Sequence, residues 1–324
     1  MLVSIIIPAY NVEAYVGEAL DSALAQTYRP IEIIAVDNNS TDGTLGVLQQ
    51  YQMLHPKLIT VLQEPKQGAP AARNLGLKHA KGEWLQFLDA DDILLPEKIE
   101  RQVGLVSFFF ENENRLLAIV TGAYLFEKIN GQRVKYNSSE RIWRGLISGS
   151  AGITSANLFK KESVSLAGQW DESLCSSQEY NLMYRILTMG YLGCSYNACL
   201  TIVRQRANSI STSTLFNTKL EASYFRLSVC KDLKNLDKGK WPDGVDVSFL
   251  NQMIVKQISV VGLFNHSESL ALYRSFFGKT KVSLTLPVFS RSFIIGYQWF
   301  GFKFGVLMYS LFYQLRRLLK LELA

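Results

Sequence analysis

The sequence predicts an α/β protein in which a parallel sheet is covered by helices on both faces. Over the first hundred residues, short runs of aliphatic and β-branched residues alternate with segments of helical periodicity. The strand-like runs are apolar throughout, which is typical of strands buried on both faces. Hydrophobic residues make up 48% and charged residues 19% of the 324 residues, so the chain can bury a sizeable core.

The predicted elements of the first hundred residues follow one another closely. Strands are predicted over 2–7, 31–36, 58–63 and 84–88, and helices over 12–24, 44–52, 71–79 and 97–110. Asn11 stands where its side chain could cap the first helix, because an amide oxygen can accept a hydrogen bond from a free backbone N–H. The N-terminus lacks a basic segment, so we interpret the first apolar run as a strand and not as a signal peptide.

Beyond residue 110 the alternation becomes weaker and is then lost. The sequence predicts a strand over 117–121, a hairpin with strands over 124–129 and 133–136, and a helix over 179–189. The dipeptide Asn130-Gly131 forms the turn of this hairpin, because it favours a two-residue connection. From about Asn208 the pattern is helical. We therefore expect one α/β domain over 1–210 and a helical extension over 211–324.

Groups of polar residues end three of the predicted strands, at 8–11, 37–40 and 89–92. In a parallel sheet the carboxyl ends of the strands meet at one edge, which is where ligands bind. Asp37 ends a buried strand, where an uncompensated carboxylate is costly, so a ligand N–H or hydroxyl would satisfy it. The nearby Asp42 and Thr44 are interpreted as turn and helix-cap residues.

The acidic group contains three carboxylates, Asp89, Asp91 and Asp92, directly after an apolar strand. Three such groups repel one another unless a cation lies between them. Mg²⁺ and Mn²⁺ at phosphate sites take one or two carboxylates together with phosphate oxygens, so the motif indicates a metal ion that holds a diphosphate. The alternative is a solvated acidic turn before the helix that follows Pro96.

Four motifs together resemble the family 2 glycosyltransferases of GT-A fold. They are SIIIPAYN at 4–11, DNNSTDGT at 37–44, GAPAARNLG at 68–76 and FLDADD at 87–92. The match covers residues 3–92, a looser one covers 152–191, and residues after about 211 lie outside it. The resemblance implies a Rossmann-like mixed sheet flanked by helices. Residues 1–110 would form the nucleotide-binding half and 111–210 the acceptor half.

The resemblance also implies a reaction and a set of site residues. The family transfers a sugar with inversion from a nucleotide diphosphate donor, usually a UDP-sugar. Pro8, Tyr10 and Asp37 would line the base pocket. Asp89 would lie by the ribose, and Asp91 would hold Mn²⁺ or Mg²⁺ on the diphosphate. Arg73 would either assist at the nucleotide or form a surface salt bridge.

Two positions depart from the family pattern. The general base is commonly an Asp that opens a helix, and here Gln178-Glu179 stand at that position, so Glu179 would be the base. Its alternative role is to stabilise the helix N-terminus electrostatically. Family members often have a His near position 206, where this chain has Arg206. Arginine cannot bind a metal but would pair with phosphate.

The C-terminal tail, residues 293–320, is predicted to be an amphipathic helix. Its polar residues fall within an arc of about 160° on a helical wheel. They are Gln298, Lys303, Ser310, Gln314, Arg316, Arg317 and Lys320. Lys303 disfavours a transmembrane span, whereas Trp299 and the Arg pair favour a helix lying on anionic lipid. The alternative is a helix that packs on its own domain.

Taken together, these patterns predict a cytoplasmic enzyme that is attached peripherally to the inner face of the cell membrane. The acceptor would be a glycan or a lipid-linked glycan in surface polysaccharide synthesis. Nucleic-acid binding is not expected, because the net charge of +6 includes no Lys/Arg block. Four cysteines without a CxxC pair, beside three histidines, make a zinc site unexpected. The alternatives are a sugar nucleotidyltransferase and a non-catalytic nucleotide-binding scaffold.

Overall fold

A computed structural model describes residues 1–111, 116–206, 215–285, 289, 291–303, 305–307 and 310. The chain divides into two compact units, Met1–Ser213 and Thr214–Ala324. The predicted boundary at residue 210 and most of the tail beyond residue 303, including Arg316, Arg317 and Lys320, lie outside the described residues.

The first hundred residues alternate strands and helices in the order that the sequence predicts, whereas the rest of the first unit contains several elements that the sequence did not predict. Its strands are β1 (Val3–Ala9), β2 (Ile31–Asp37), β3 (Ile59–Gln63), β4 (Trp84–Phe87), β5 (Ile93–Leu94), β6 (Leu117–Glu127), β7 (Arg133–Tyr136), β8 (Leu158–Lys160) and β9 (Leu192–Arg204). Its helices are α1 (Glu13–Leu24), α2 (Thr44–Leu54), α3 (Ala69–His79), α4 (Lys98–Glu111), α5 (Ile142–Ser148), α6 (Lys161–Leu166) and α7 (Gln178–Thr188).

The strands form one mixed sheet. β1 lies between β2 and β4, and these strands and β3 all run parallel. β8 pairs antiparallel with β4 and β6, and β6 pairs parallel with β9. The mixed sheet implied by the family resemblance is therefore confirmed, and the parallel arrangement predicted from the apolar runs of the first hundred residues is confirmed for β1 to β4. The antiparallel β8 was not predicted, because its three residues are too few to produce a periodicity in the sequence.

The core of the sheet explains why the first strands are continuously apolar. Ile5 and Ile7 point to one face of β1 and Ile6 to the other, and all three are fully buried. The predicted hairpin is also confirmed, with Tyr124 opposite Tyr136. In contrast, the 13 residues of β9 form a strand that the sequence did not predict, because polar and apolar residues are mixed along it without a regular period.

The start of α1 differs from the prediction that Asn11 caps it. Asn11 has a φ of 49°, and its Oδ1 accepts a hydrogen bond from the Thr41 N–H at 2.8 Å. The carboxylate of Asp42 instead accepts hydrogen bonds from the backbone N–H groups of Glu13, at 3.1 Å, and Thr44, at 3.0 Å. One side chain from a neighbouring loop thus stabilises the first turns of two helices.

The second unit is helical, as predicted. Its helices are α8 (Leu215–Asn235), α9 (Val247–Gly262), α10 (His266–Phe277) and α11 (Arg291–Phe300). Within this unit the described part of the tail buries Phe293, Tyr297, Phe302 and Val306, and the Tyr297 hydroxyl lies 2.7 Å from that of Tyr273. Among the described residues, no helix combines the length and apolar character needed to cross a bilayer.

Candidate functional site

Asp37 has a buried oxygen atom that accepts no hydrogen bond from the part of the chain that the structure describes. The residue ends β2 and is 3% exposed. Its Oδ2 accepts a long hydrogen bond from the Ser40 N–H at 3.4 Å, whereas Oδ1 has no partner among the described residues. A buried acceptor without a donor costs about 1–3 kcal/mol. This oxygen therefore suits a ligand that brings an N–H or an O–H.

The other residues expected at the base pocket lie at the same edge of the sheet. Ala9, at the end of β1, is in register with Asp37 at the end of β2. Pro8 precedes Ala9 and is partly buried, and Tyr10 follows it and is 43% exposed. The sheet thus brings Pro8, Tyr10 and Asp37 together, and the exposed ring of Tyr10 is open to a ligand.

Asn38 holds the neighbouring loop against this edge, a role that the sequence did not reveal. Its side-chain N–H groups donate to the carbonyl oxygens of Glu64, at 3.0 Å, and Lys66, at 2.7 Å. Its Oδ1 accepts a hydrogen bond from the Gly68 N–H at 2.8 Å. Since Gly68 immediately precedes α3, Asn38 determines where α3 begins relative to Asp37. The sequence indicated only a turn-forming amide at this position.

The acidic motif after β4 is held by a serine from a distant segment. Ser155 Oγ accepts a hydrogen bond from the Asp89 N–H at 3.0 Å and donates one to Asp92 Oδ2 at 2.6 Å. Asp92 is 2% exposed, and its Oδ1 accepts a hydrogen bond from the Arg204 N–H at 3.2 Å. Asp92 therefore stabilises the structure of the motif. Ser155 lies in the looser matched segment, but no pattern singled it out.

Asp91 forms an ion pair with Arg206. The guanidinium groups of Arg206 and Arg204 lie 5.6 and 5.4 Å from the centre of the Tyr15 ring. Arg204 also donates to the Asp91 carbonyl oxygen and pairs with Glu18 at 2.7 Å. The structure thus brings together two residues that the sequence singled out separately, Asp91 and Arg206, and it places Arg206 on the acidic motif.

The crowding of the motif changes the acidity of its carboxyl groups. Burial, followed by the charge of Asp89, raises the pKa of Asp91, although the Arg206 guanidinium opposes this effect. Burial also raises the pKa of Asp92 well above its usual range, with further contributions from Asp89 and Asp91. Asp91 and Asp92 therefore hold negative charge less readily than separate aspartates do, and the charge of Arg206 partly offsets this effect at Asp91.

Arg73 connects the acidic motif to the start of α7. Its side chain is 6% exposed and lies 4.5 Å from the centre of the Trp170 ring. It pairs with Asp89 at 2.7 Å and donates to Gln178 Oε1 at 2.9 Å. The surface salt bridge considered for Arg73 is therefore wrong, since the guanidinium is buried between two parts of the site. A buried guanidinium of this kind fixes the relative positions of its partners.

Glu179 follows Gln178 in the first turn of α7 and is partly exposed. The next residue, Tyr180, donates its hydroxyl to the Gly152 carbonyl at 3.2 Å and accepts a hydrogen bond from the Ala151 N–H at 3.1 Å. These contacts of Tyr180 and the hydrogen bond between Arg73 and Gln178 fix the residues on either side of Glu179 in the first turn of α7. The candidate base is therefore held next to a residue that is linked to Asp89.

The carboxylates fit a metal ion that arrives with phosphate oxygens. Among the residues that the structure describes, no three His, Cys, Asp or Glu side chains lie close enough to form a metal-binding cluster. The side chains of Asp89 and Asp91 are 31% and 14% exposed, so both can be reached from solvent. One or two carboxylates are what Mg²⁺ or Mn²⁺ usually takes at a phosphate site.

The mixed sheet, with its polar strand ends at one edge, defines a protein of the GT-A glycosyltransferase class. The family model described as glycosyl transferase family 2 matches residues 4–148. An uncharacterized glycosyltransferase of Rickettsia typhi is 30% identical over 232 residues, which is 68% of this chain and 68% of that protein. A putative teichuronic acid biosynthesis glycosyltransferase of Bacillus subtilis, TuaG, is 41% identical over 102 residues, or 32% of this chain and 40% of that protein.

A solved structure supports the same fold. TarS of S. aureus, residues 1–349 in complex with UDP-GlcNAc, matches with a TM-score of 0.57 and 18% identity, over 84% of this chain and 76% of that one. The chain belongs to glycosyltransferase family 2. It spans about a third of the length of several other Rickettsia relatives that it matches.

Proposed function

We propose that this protein transfers a sugar from a nucleotide diphosphate sugar, a UDP-sugar, to a hydroxyl group of an acceptor. The observation that carries the proposal is the pairing of two features at one edge of the sheet. Asp37, at the end of β2, has a buried oxygen that accepts no hydrogen bond from the described residues. The acidic motif follows β4, and β1 lies between β2 and β4 in the sheet. The first feature suits a base N–H, and the second suits a diphosphate with its metal ion.

In the proposed reaction, each part of the site has its own task. Pro8, Tyr10 and Asp37 bind the base. Asp89, which the ion pair with Arg73 holds in position, binds the ribose. Asp91 holds Mn²⁺ or Mg²⁺, which when bound neutralises charge on the diphosphate. Arg206, which lies beside Asp91, stabilises the phosphate oxygens as the nucleoside diphosphate leaves.

Glu179 acts as the general base. It removes the proton of the acceptor hydroxyl as that oxygen attacks the anomeric carbon from the face opposite the leaving diphosphate. The bond to the diphosphate breaks as the new glycosidic bond forms. A single displacement of this kind inverts the anomeric configuration.

We propose a glycan or a lipid-linked glycan as the acceptor, in surface polysaccharide synthesis. The support is the name of the Bacillus subtilis relative, which assigns that protein to teichuronic acid biosynthesis. A sugar nucleotidyltransferase is the first alternative, but it would need a Gly-rich phosphate loop after β1, where Pro8-Ala9-Tyr10-Asn11 stands. The second alternative, a non-catalytic scaffold, would bind the nucleotide without turnover.

A donor panel tests the proposed function. The full-length protein is incubated with UDP-, GDP- and dTDP-sugars and with Mn²⁺ or Mg²⁺, and the released products are identified. We expect hydrolysis or transfer that releases UDP. In a separate arm with a nucleoside triphosphate and a sugar 1-phosphate, release of pyrophosphate would indicate the nucleotidyltransferase. UDP binding without turnover on a broad acceptor panel would indicate the scaffold.

Replacing Asp37 separates a binding role from a structural one. We expect Asp37→Asn to weaken UDP binding about tenfold to a hundredfold, since a hydrogen bond to a charged group contributes about 1.5–3 kcal/mol. The melting temperature should stay the same or rise, because Oδ1 accepts no hydrogen bond within the described protein. Isothermal titration with UDP and a thermal melt measure the two quantities. A lower melting temperature with unchanged UDP affinity would contradict the binding role.

We also propose that the second unit attaches the protein peripherally to the inner face of the cell membrane. The described tail buries Phe293 and Tyr297, which belong to the packing of the unit itself. Ile295 and Leu307 are 54% and 49% exposed, and Lys303 is also exposed. Exposed aliphatic side chains and an exposed cation in one segment suit the headgroup region of an anionic membrane.

Charge placed on this exposed surface tests the membrane proposal. We expect the double variant Ile295→Glu/Leu307→Glu to reduce flotation with phosphatidylglycerol vesicles at least about tenfold, because burial of each aliphatic side chain contributes about 1.5–3 kcal/mol. UDP affinity should not change. Wild-type protein that fails to float with anionic vesicles would exclude the proposal, and Ile129→Glu, in the hairpin of the first unit, is the control for added charge.

A further inference from the structure

The β6–β7 hairpin presents a pair of stacked tyrosines. Tyr124 and Tyr136 are opposite each other in the ladder, and their rings lie 5.1 Å apart with an angle of 7° between the planes. Phe126 contacts Tyr136 edge-on at 6.2 Å. Tyr136 is 46% exposed, although a ring of this size is usually buried when its role is to fill a core.

The backbone places this pair beside the first turn of α7. Gly122 lies in β6 two residues before Tyr124. A Cβ atom built on Gly152 would lie 3.1 Å from the Gly122 carbonyl oxygen, so the two glycine backbones are almost in contact. The Gly152 carbonyl accepts the hydroxyl hydrogen of Tyr180, which immediately follows Glu179.

The electrostatic surroundings of Tyr124 agree with this placement. Burial raises the pKa of the Tyr124 phenol to about 12, and the nearby charges of Tyr136, Glu179 and Asp92 contribute. The phenol therefore keeps its proton at neutral pH and can donate a hydrogen bond. The hairpin thus combines the stacked rings of Tyr124 and Tyr136 with the carboxylates of Glu179 and Asp92 near Tyr124.

We propose that the exposed ring of Tyr136, supported by the stacked ring of Tyr124, forms a platform on which a sugar ring of the acceptor stacks, with its reacting hydroxyl toward Glu179. An aromatic face is electron-rich and attracts the C–H face of a pyranose, while the hydroxyl groups at the rim of that ring remain free for polar partners. The neighbouring carboxylate suits a hydroxyl-bearing ligand better than a purely apolar one. The acceptor class is therefore a carbohydrate, and this inference rests on the proposed function.

Saturation-transfer NMR on the whole chain with UDP and Mg²⁺ tests the platform. The probes are the methyl β-glycosides of glucose, galactose and N-acetylglucosamine, with sorbitol as a polyol that has no ring. We expect the C–H protons of at least one glycoside to be saturated and those of sorbitol not to be. Tyr136→Ala should weaken binding of that glycoside about tenfold, which corresponds to about 1.4 kcal/mol. Tyr136→Phe should retain it.

Ile129→Ala is the matched control, because Ile129 is 69% exposed on the same hairpin and lies outside the platform. No saturation of any glycoside in the wild type, equal binding of sorbitol, or wild-type affinity in Tyr136→Ala would overturn the inference. UDP binding is measured in the same samples. If UDP binds and only the sugar results fail, the platform is wrong. If UDP does not bind, the proposed function is wrong.

Discussion

Glu179→Gln should lower the rate of sugar transfer by about 10²–10⁴, which is the usual contribution of a general base. Glutamine has nearly the same shape as glutamate but cannot accept the proton of the acceptor hydroxyl. Donor affinity should be unchanged, because in the proposed reaction Glu179 contacts the acceptor hydroxyl and not the donor. The measurements are kcat for transfer and the dissociation constant for the donor.

Two further variants separate catalysis from structure. Glu179→Asp should restore part of the rate, since it keeps a carboxylate at this position. Glu140→Gln, at an exposed glutamate in the same unit, should behave as the wild type. If Glu179→Gln loses less than tenfold, another residue is the base and Glu179 stabilises the N-terminus of α7.

Asp91→Asn should lower transfer by about 10³ or more, because charge stabilisation at a phosphoryl oxygen contributes several kcal/mol. The variant keeps the size of the side chain but removes the negative charge that would hold Mn²⁺ or Mg²⁺. It also releases Arg206 from its ion pair. UDP affinity should therefore fall when Mn²⁺ is present and change little when it is absent. Titrations of UDP with and without Mn²⁺ measure this difference.

Asp237→Asn is the control for a change in net charge, because Asp237 belongs to the second unit and its side chain is 88% exposed. We expect its transfer rate and its response to Mn²⁺ to match those of the wild type. The metal role of Asp91 would be excluded by full activity in Asp91→Asn, or by wild-type activity that EDTA does not reduce.

The sequence alone determined the first half of the sheet and the edge where the candidate site lies. The apolar runs before Pro8, Asp37 and Asp89 each mark a strand, because both faces of a central strand are buried. Parallel strands bring their carboxyl ends to one edge. The polar residues that follow those runs therefore lie at the same edge of the sheet, independently of how the rest of the chain folds.

The tertiary structure alone decided which side chains contact one another at that edge. Arg73 lies 105 positions before Gln178, and Ser155 lies 66 positions after Asp89. Local periodicity contains no information about such pairs, since it reports only which face of an element is buried. The ion pair between Asp91 and Arg206 depends on β9, whose irregular pattern did not predict a strand. The strands that carry the acidic motif could thus be predicted, whereas its arginine and serine partners required the folded chain.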